Sequence, residues 1–516
     1  MLKQTLGVGV LLFGLTLPVM AQDAPPASYD FENVTLAETT ENSFGITAQI
    51  PLDWVSAGNG IYLPEGTMGE FFIALQAAPV SMDDLLLSLS MQYLTDEPPT
   101  PIETATLGNF EWDIYRYSAE NPLGEVWIQL AVTEAGNNAM LAMVQGMGEG
   151  EEASYENVFL PMVESVRVAS SDVEVTREPV PYLEEEVTFQ SGDITLAGTL
   201  TLPETEGPYI AVVLVSGSGP QDRNESITGV ALQPFYLIAD HLTRNGIAVL
   251  RYDDRGVAES EGDFSTAVMS DFASDASAAI DYLATRSEID PARIGLLGHS
   301  EGGALSPMVA RQNEHLAFIV SMAGTAVSGA DVLILQNELV MAASGGTPEL
   351  VESQRNFITA FIPLILNDDY DGARQLTVDT LLEQYEMMDI QVANVQLLAE
   401  QTAEQSMATY MNDWFRSFLS YNPADDFAHV TIPVLGLFGG KDVQVADEQN
   451  APALEAVLTE AGNENFEIVI FENANHFFQE AETGSVEEYA TLPAEFTEGF
   501  LDTISDWILE NFGEGA

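Results

Sequence analysis

The sequence predicts an α/β fold with a mostly parallel sheet, preceded by a smaller α+β block. Three observations carry that prediction. Tyr209 to Val215 is a nearly continuous apolar run, the pattern of a strand buried in the middle of a parallel sheet. Ile247 to Arg251, Ile294 to Leu297, Val434 to Phe438 and Glu467 to Ile470 follow the same pattern, and helical stretches such as Phe272 to Arg286 separate them. Between about Val327 and Asp425 the alternation stops. Long amphipathic helical patterns take over there, including Leu381 to Met407 and Met411 to Leu419, and a helical cap inserted over the sheet accounts for them.

The block ahead of this module spans residues 28–169. Phe44, Ile46, Ala48 and Ile50 alternate with other residues, as in a half-buried strand. Further strands are expected at Phe72 to Leu75, Phe110 to Tyr117, Val126 to Val132 and Met140 to Val144. Ser81 can cap a helix whose capping-box acid is Asp84. An amphipathic helix from Ala153 to Val166 closes the block. Residues 170–181 are polar, carry Pro179 and Pro181, and suit a linker. The second module then occupies residues 182–516, with its cap at about 327–425.

Residues 1–21 read as a signal peptide. Lys3 gives a positive start, Leu6 to Leu17 are apolar, and Val19-Met20-Ala21 offers small residues for cleavage. A membrane anchor is the rival reading, but the run is shorter than the roughly 20 residues a span requires, and Pro18 breaks it. The expectation is an exported protein, periplasmic or extracellular, with no membrane span after signal removal. The absence of Cys rules out disulfides and a lipid-modified N-terminal cysteine.

Hydrophobic residues make up 46% of the 516, enough for substantial cores. Lys and Arg total 15 against 81 Asp and Glu, a net charge of −66. Such a field repels polyanions and so excludes nucleic acid and acidic membrane surfaces as natural partners. It also sets a compact chain against its own repulsion at low salt. Adaptation to salt and simple acidic solubility both fit this composition.

The strongest local signal is Gly298-His299-Ser300-Glu301-Gly302, after the strand Arg293 to Leu297 and before an apolar helix. A nucleophile on a sharp strand-to-helix turn needs small neighbours two positions either side, because the backbone folds tightly there. The turn lifts the Ser300 hydroxyl clear of the sheet and aims the Glu301 N–H toward a reacting carbonyl. This context is that of the α/β-hydrolase fold, in which the chain order is nucleophile, acid, histidine.

A serine hydroxyl requires a base. Of five histidines, His241 lies in an apolar helix, His299 inside the turn motif, His315 in a loop and His429 before a strand, all positions that suit structural roles. His476 alone follows the last strand. Asp442 follows the preceding strand, after Gly439-Gly440-Lys441, and is placed to orient His476. The second oxyanion donor is expected from Ser216-Gly217-Ser218-Gly219-Pro220, with Ser218 favoured and Gly217 or Gly219 as alternatives. A phosphate-cradling role for that loop lacks a following Gly-Lys-Ser/Thr pattern. Asn367 to Gly372 begins like a calcium loop, but Val378 stands at the twelfth position where a bidentate Glu is needed. No metal-ligand histidine pair and no dinucleotide fingerprint occur, so no cofactor is expected.

The second module resembles bacterial α/β-hydrolase carboxylesterases related to the serine aminopeptidase S33 family. The resemblance runs through Ser216 to Glu225, Arg251-Tyr252-Asp253-Asp254-Arg255-Gly256, Gly298 to Gly303, Gly440 to Val445 and Asn475 to Gln479. One departure is Ser216, where a His commonly opens the oxyanion loop; a backbone donor does not depend on that side chain. The first block loosely resembles the Mog1/PsbP-like sandwich, through Phe44 to Pro51 leading to Trp54. The resemblance implies hydrolysis of short-acyl carboxylic esters, small-molecule substrates, through an acyl-enzyme. Ser300 attacks, His476 acts as base and then acid, Asp442 holds His476, and the N–H groups of Ser218 and Glu301 receive the oxyanion. A peptidase or acyltransferase with the same triad, or a catalytically silent binding protein, are the rival readings.

Overall fold

The computed structural model describes residues 29–39, 46–58, 60–64, 71–78, 99–121, 124–135, 138–168, 180–226, 232–388, 395–489 and 491–513, with 82, 85, 86 and 89. The expected signal peptide, the Ser81 cap with Asp84, Phe44 and most of the expected linker lie outside the described residues. Among the described residues no helix is long and apolar enough to cross a membrane. The chain divides into two compact units. Of the described residues, one takes in those up to Val168 together with those of Asp369–Thr409, and the other those of Glu178–Asp368 and Tyr410–Ala516.

In the first unit, seven antiparallel strands follow the order Trp54–Gly58, Ile61–Pro64, Phe72–Ala78, Asn138–Met147, Gly124–Ala135, Phe110–Asn121, Glu103–Leu107. The period-2 alternation of side chains serves two cores. Ile128, Leu130 and Val132 face one, whereas Trp127 and Ala131 face the other. Helical residues Glu151 to Ser165 cover the second core with Val158, Phe159, Met162 and Val163, through a π turn at Tyr155–Phe159. The strand expected around Ile46 to Ile50 is split. Ile46–Thr47 pairs with Arg167–Val168 and Gln49–Pro51 with Leu36–Glu38, yet Ile46, Ala48 and Ile50 are all buried, as the alternation requires.

The second unit is built on an eight-stranded sheet. Its strands are β1 (Tyr182–Ser191), β2 (Ile194–Pro203), β3 (Tyr209–Val215), β4 (Ile247–Tyr252), β5 (Ile289–His299), β6 (Leu316–Met322), β7 (Val434–Gly439) and β8 (Phe466–Phe471). Their order is β1-β2-β4-β3-β5-β6-β7-β8. The first two pair antiparallel at one edge, and β3 to β8 are parallel to one another. Helices α1 (Pro234–Arg244), α2 (Met269–Ala284) and α3 (Glu301–Gln312) are crossover elements. Further helices are α4 (Gly329–Ala343), α5 (Pro348–Leu366), α6 (Tyr370–Met387), α7 (Val395–Tyr410), α8 (Asp413–Ser420), α9 (Pro423–Phe427), α10 (Asp447–Glu460) and α11 (Phe500–Phe512). Of these, α6 and nearly all of α7 fall in the first unit. This is the α/β-hydrolase fold with an additional β-rich block ahead of it.

One face of the sheet buries Val212, Leu214, Val249, Leu297, Val320, Leu435 and Leu437 against Phe235, Ile238 and Leu242 of α1 and Phe500, Ile504 and Ile508 of α11. Each fully buried side chain of this kind contributes about 1.5–3 kcal/mol relative to exposure. That packing fixes the carboxyl ends of β3, β5, β7 and β8, the edge where an open parallel sheet presents its loops.

Candidate active site

Ser300 links β5 to α3. Its backbone sits at φ 51, ψ −111, a region a non-glycine residue enters only when its surroundings enforce it. The enforcement is visible. A Cβ on Gly298 would stand 2.2 Å from the Gly302 carbonyl oxygen, and a Cβ on Gly302 would stand 2.2 Å from that of Val215. The turn closes only with glycine at both places. The Ser300 N–H donates to the Met322 carbonyl on β6 at 2.8 Å, which pins the turn to the sheet. Glu301 is the first residue of α3, whose leading N–H groups point outward along the helix axis.

Asp442 follows β7 and His476 follows β8, and the two side chains meet. His476 Nδ1 lies 2.8 Å from Asp442 Oδ2, both groups buried. The other carboxylate oxygen, Oδ1, accepts the N–H groups of Gln444 and Val445 at 2.7 and 2.8 Å. Asp442 is thus held by its own loop, and His476 by Asp442. Among the described residues the Ser300 hydroxyl makes no hydrogen bond to His476. In substrate-free enzymes such contacts are commonly long and tighten on binding.

The loop after β3 lies against the turn. A Cβ on Gly217 would be 3.2 Å from Ser300 Cβ. The Gly217 N–H already donates to Glu225 Oε1 at 2.7 Å, so it is not available as an oxyanion donor. Ser218 and Gly219 remain, and among the described residues neither N–H has a partner. Ser216, at the position where a His was noted as common, donates its hydroxyl to Asp254 Oδ1 at 2.8 Å, and the Gln221 N–H donates to Oδ2 at 2.9 Å. Burial holds the Asp254 carboxyl well above the usual carboxylate range, against those two hydrogen bonds, which favour its charged form.

Three contacts at this edge escape sequence reasoning. The Trp414 indole N–H on α8 donates to Glu301 Oε1 at 2.9 Å. Asp254 anchors the loop after β3. His299, read as structural, is in contact with Glu225 and with the His476 backbone. Both His299 and Glu225 lie inside quoted motifs, but only the folded sheet brings them together. Of the other three histidines, His241 is hydrogen-bonded to Ser505 and His429 to the Asp425 carbonyl.

Residues 172–478, more than half of the chain, match the X-Pro dipeptidyl-peptidase (S15) family. The chain belongs to that family. Esterase EstD of Thermotoga maritima is 27% identical over 342 residues, covering 65% of this chain and 71% of that protein. An uncharacterized 31.7 kDa protein of Escherichia coli is 27% identical over 267 residues, covering 51% of this chain and 83% of its own length. Among solved structures, an esterase of Pyrococcus furiosus is similar with a TM-score of 0.39 at 14% identity, over 64% of this chain and 92% of that one. As a member of the S15 family with an esterase relative, the chain is a hydrolase enzyme, acting on esters or peptides.

Proposed function

We propose that this enzyme is an exported serine esterase that cleaves short-acyl carboxylic esters through an acyl-enzyme intermediate. Ser300 attacks the ester carbonyl, and His476 takes its proton and later returns it to the leaving alcohol. Asp442 fixes the His476 tautomer and stabilises the imidazolium. The N–H groups of Ser218 and Glu301 receive the oxyanion. Water then attacks the acyl-enzyme with His476 again as base, and no cofactor enters. The observation that carries this reading is the strained Ser300 turn at the same sheet edge as the buried Asp442–His476 pair. Residues 28–169 serve as an accessory domain, with the weak Mog1/PsbP-like character noted above. The similarity to Esterase EstD of Thermotoga maritima supports an ester rather than a peptide substrate, and the field of the −66 charge keeps nucleic acid from being a partner.

The test is hydrolysis of p-nitrophenyl esters, acetate through dodecanoate, by the mature protein and by Ser300→Ala. Activity greatest toward the short chains, and abolished in the variant, is the expected outcome. The family match favours one second reading, a peptidase releasing a dipeptide that ends in proline. Cleavage of Xaa-Pro p-nitroanilides at rates exceeding those on every ester would establish it instead.

A further inference from the structure

Two groups converge on a single carboxylate oxygen beneath the nucleophile. Glu225 Oε1 lies 2.7 Å from the Gly217 nitrogen and 2.7 Å from His299 Nδ1. Across the same ring, His299 Nε2 lies 3.0 Å from the carbonyl oxygen of His476. Glu225 and His299 are each 1% exposed, and Glu225 is held at φ 54. The rings of His299 and His476 stand 4.7 Å apart between centroids.

The protons in this cluster can be placed. A carbonyl oxygen only accepts, so His299 Nε2 carries hydrogen. Glu225 Oε1 already receives the Gly217 N–H, and a second proton must lie between it and Nδ1. Three titratable groups face the ring: Glu225 from the loop after β3, Asp442 from the loop after β7 and His476 from the loop after β8. Burial alone would lower the His299 pKa, yet the charge and hydrogen bond of Glu225, with the His476 carbonyl and Asp442, raise it on balance.

We propose that Glu225 and His299 are a positioning pair whose buried imidazolium ties the loop at Gly217 and the backbone of His476 to the strand that presents Ser300. The proposal rests on the reading of Ser300 and His476 as catalytic. His299 suits the task because it ends β5, which hydrogen-bonds on both sides to β3 and β6. From that fixed point its ring reaches loops that come from distant parts of the chain. Misplacing a reacting group by about 1 Å costs on the order of a hundredfold in rate, so such a tie bears on turnover and not only on stability. Neither residue touches the reacting atoms in this account. They act through Gly217 and His476.

The test pairs NMR of the full chain carrying isotope-labelled histidine with kinetics of Glu225→Gln and His299→Gln on a p-nitrophenyl ester. At about pH 8 an ordinary histidine is neutral. One histidine of the wild type is expected to keep both ring nitrogens protonated there. That signal disappears in His299→Gln, and in Glu225→Gln the ring loses one proton. Both variants, folded by circular dichroism, are expected to lose roughly ten- to a hundredfold in kcat while KM changes less than about twofold. A wild type without the doubly protonated ring would overturn the proposal even if neither variant folds. A folded variant keeping kcat within about twofold would overturn it as well. An inactive wild type that shows the doubly protonated ring would instead sink the catalytic reading and leave the ion pair established.

Discussion

The indole N–H of Trp414 donates a 2.9 Å hydrogen bond to the carboxyl of Glu301, the residue directly after Ser300. A helix from the inserted segment is thereby fastened to the turn that carries Ser300. Trp414 also stacks on Phe418 at 13° between ring planes. Trp414→Phe keeps an aromatic six-membered ring and removes the donor together with the five-membered part of the indole. The expected loss is about 1–3 kcal/mol of stability, the value of a hydrogen bond to a carboxyl. Because the tether holds α8 beside the site, the ranking of kcat/KM across acyl lengths is expected to shift. Melting curves and the ester series check both, and a variant indistinguishable from wild type in each would contradict the tether.

Asp442→Asn leaves the side chain its shape and its loop contacts at Oδ1 but no longer selects the His476 tautomer with hydrogen on Nδ1. Turnover is expected to fall on the order of 10^3- to 10^4-fold, with KM little changed. Steady-state kinetics read this directly. A loss of less than about tenfold would contradict the orienting role of Asp442.

Gly302→Ala puts a methyl where the Val215 and Ser216 carbonyl oxygens stand, 2.2 and 2.8 Å away. Both obstacles are backbone and cannot swing aside. The expected outcome is a destabilisation of at least about 1–3 kcal/mol, with loss of esterase activity at temperatures where the variant remains folded. Denaturant titration beside activity measures the two effects separately.

The raised pKa of Asp254 has a sign that stability measurements can read. In the unfolded chain this carboxyl titrates near ~3.9, and in the folded protein higher. The folded state therefore binds more protons between the two values, and its stability falls as pH rises through that window. Asp254→Asn cannot ionise, and its amide can donate to Ser216 while its oxygen accepts from Gln221. The melting-temperature difference, variant minus wild type, is expected to grow as pH is raised from about 4 to 8. A difference that stays constant over that range would contradict the assignment.

How much of this was legible beforehand follows from which interactions are local. The β3 run Tyr209–Val215 was readable to the residue, because a strand buried on both faces must be apolar throughout. The Ser300 turn was readable because its glycines answer steric demands within a few residues. β1 was missed. Its Glu184-Glu185-Glu186 run sits on an edge strand whose exposed positions tolerate charge, so no apolar pattern marks it. β6, Leu316–Met322, went unassigned although its run is apolar, since a short run does not by itself separate strand from helix. Chain order pairs Asp442 with His476, and their side chains do meet. Glu225 and His299, 74 residues apart, carry no local sign that they pair. Trp414 and Glu301, 113 apart, are equally silent. Their contacts exist only once the sheet has formed and α8 lies beside the turn.

The most direct measurement is covalent labelling of the purified protein by a fluorophosphonate, with the modified residue identified by mass spectrometry. A single adduct on Ser300, absent in Ser300→Ala and slowed in His476→Ala, is the expected result. A folded, unlabelled wild type, or an adduct on another residue, would contradict it.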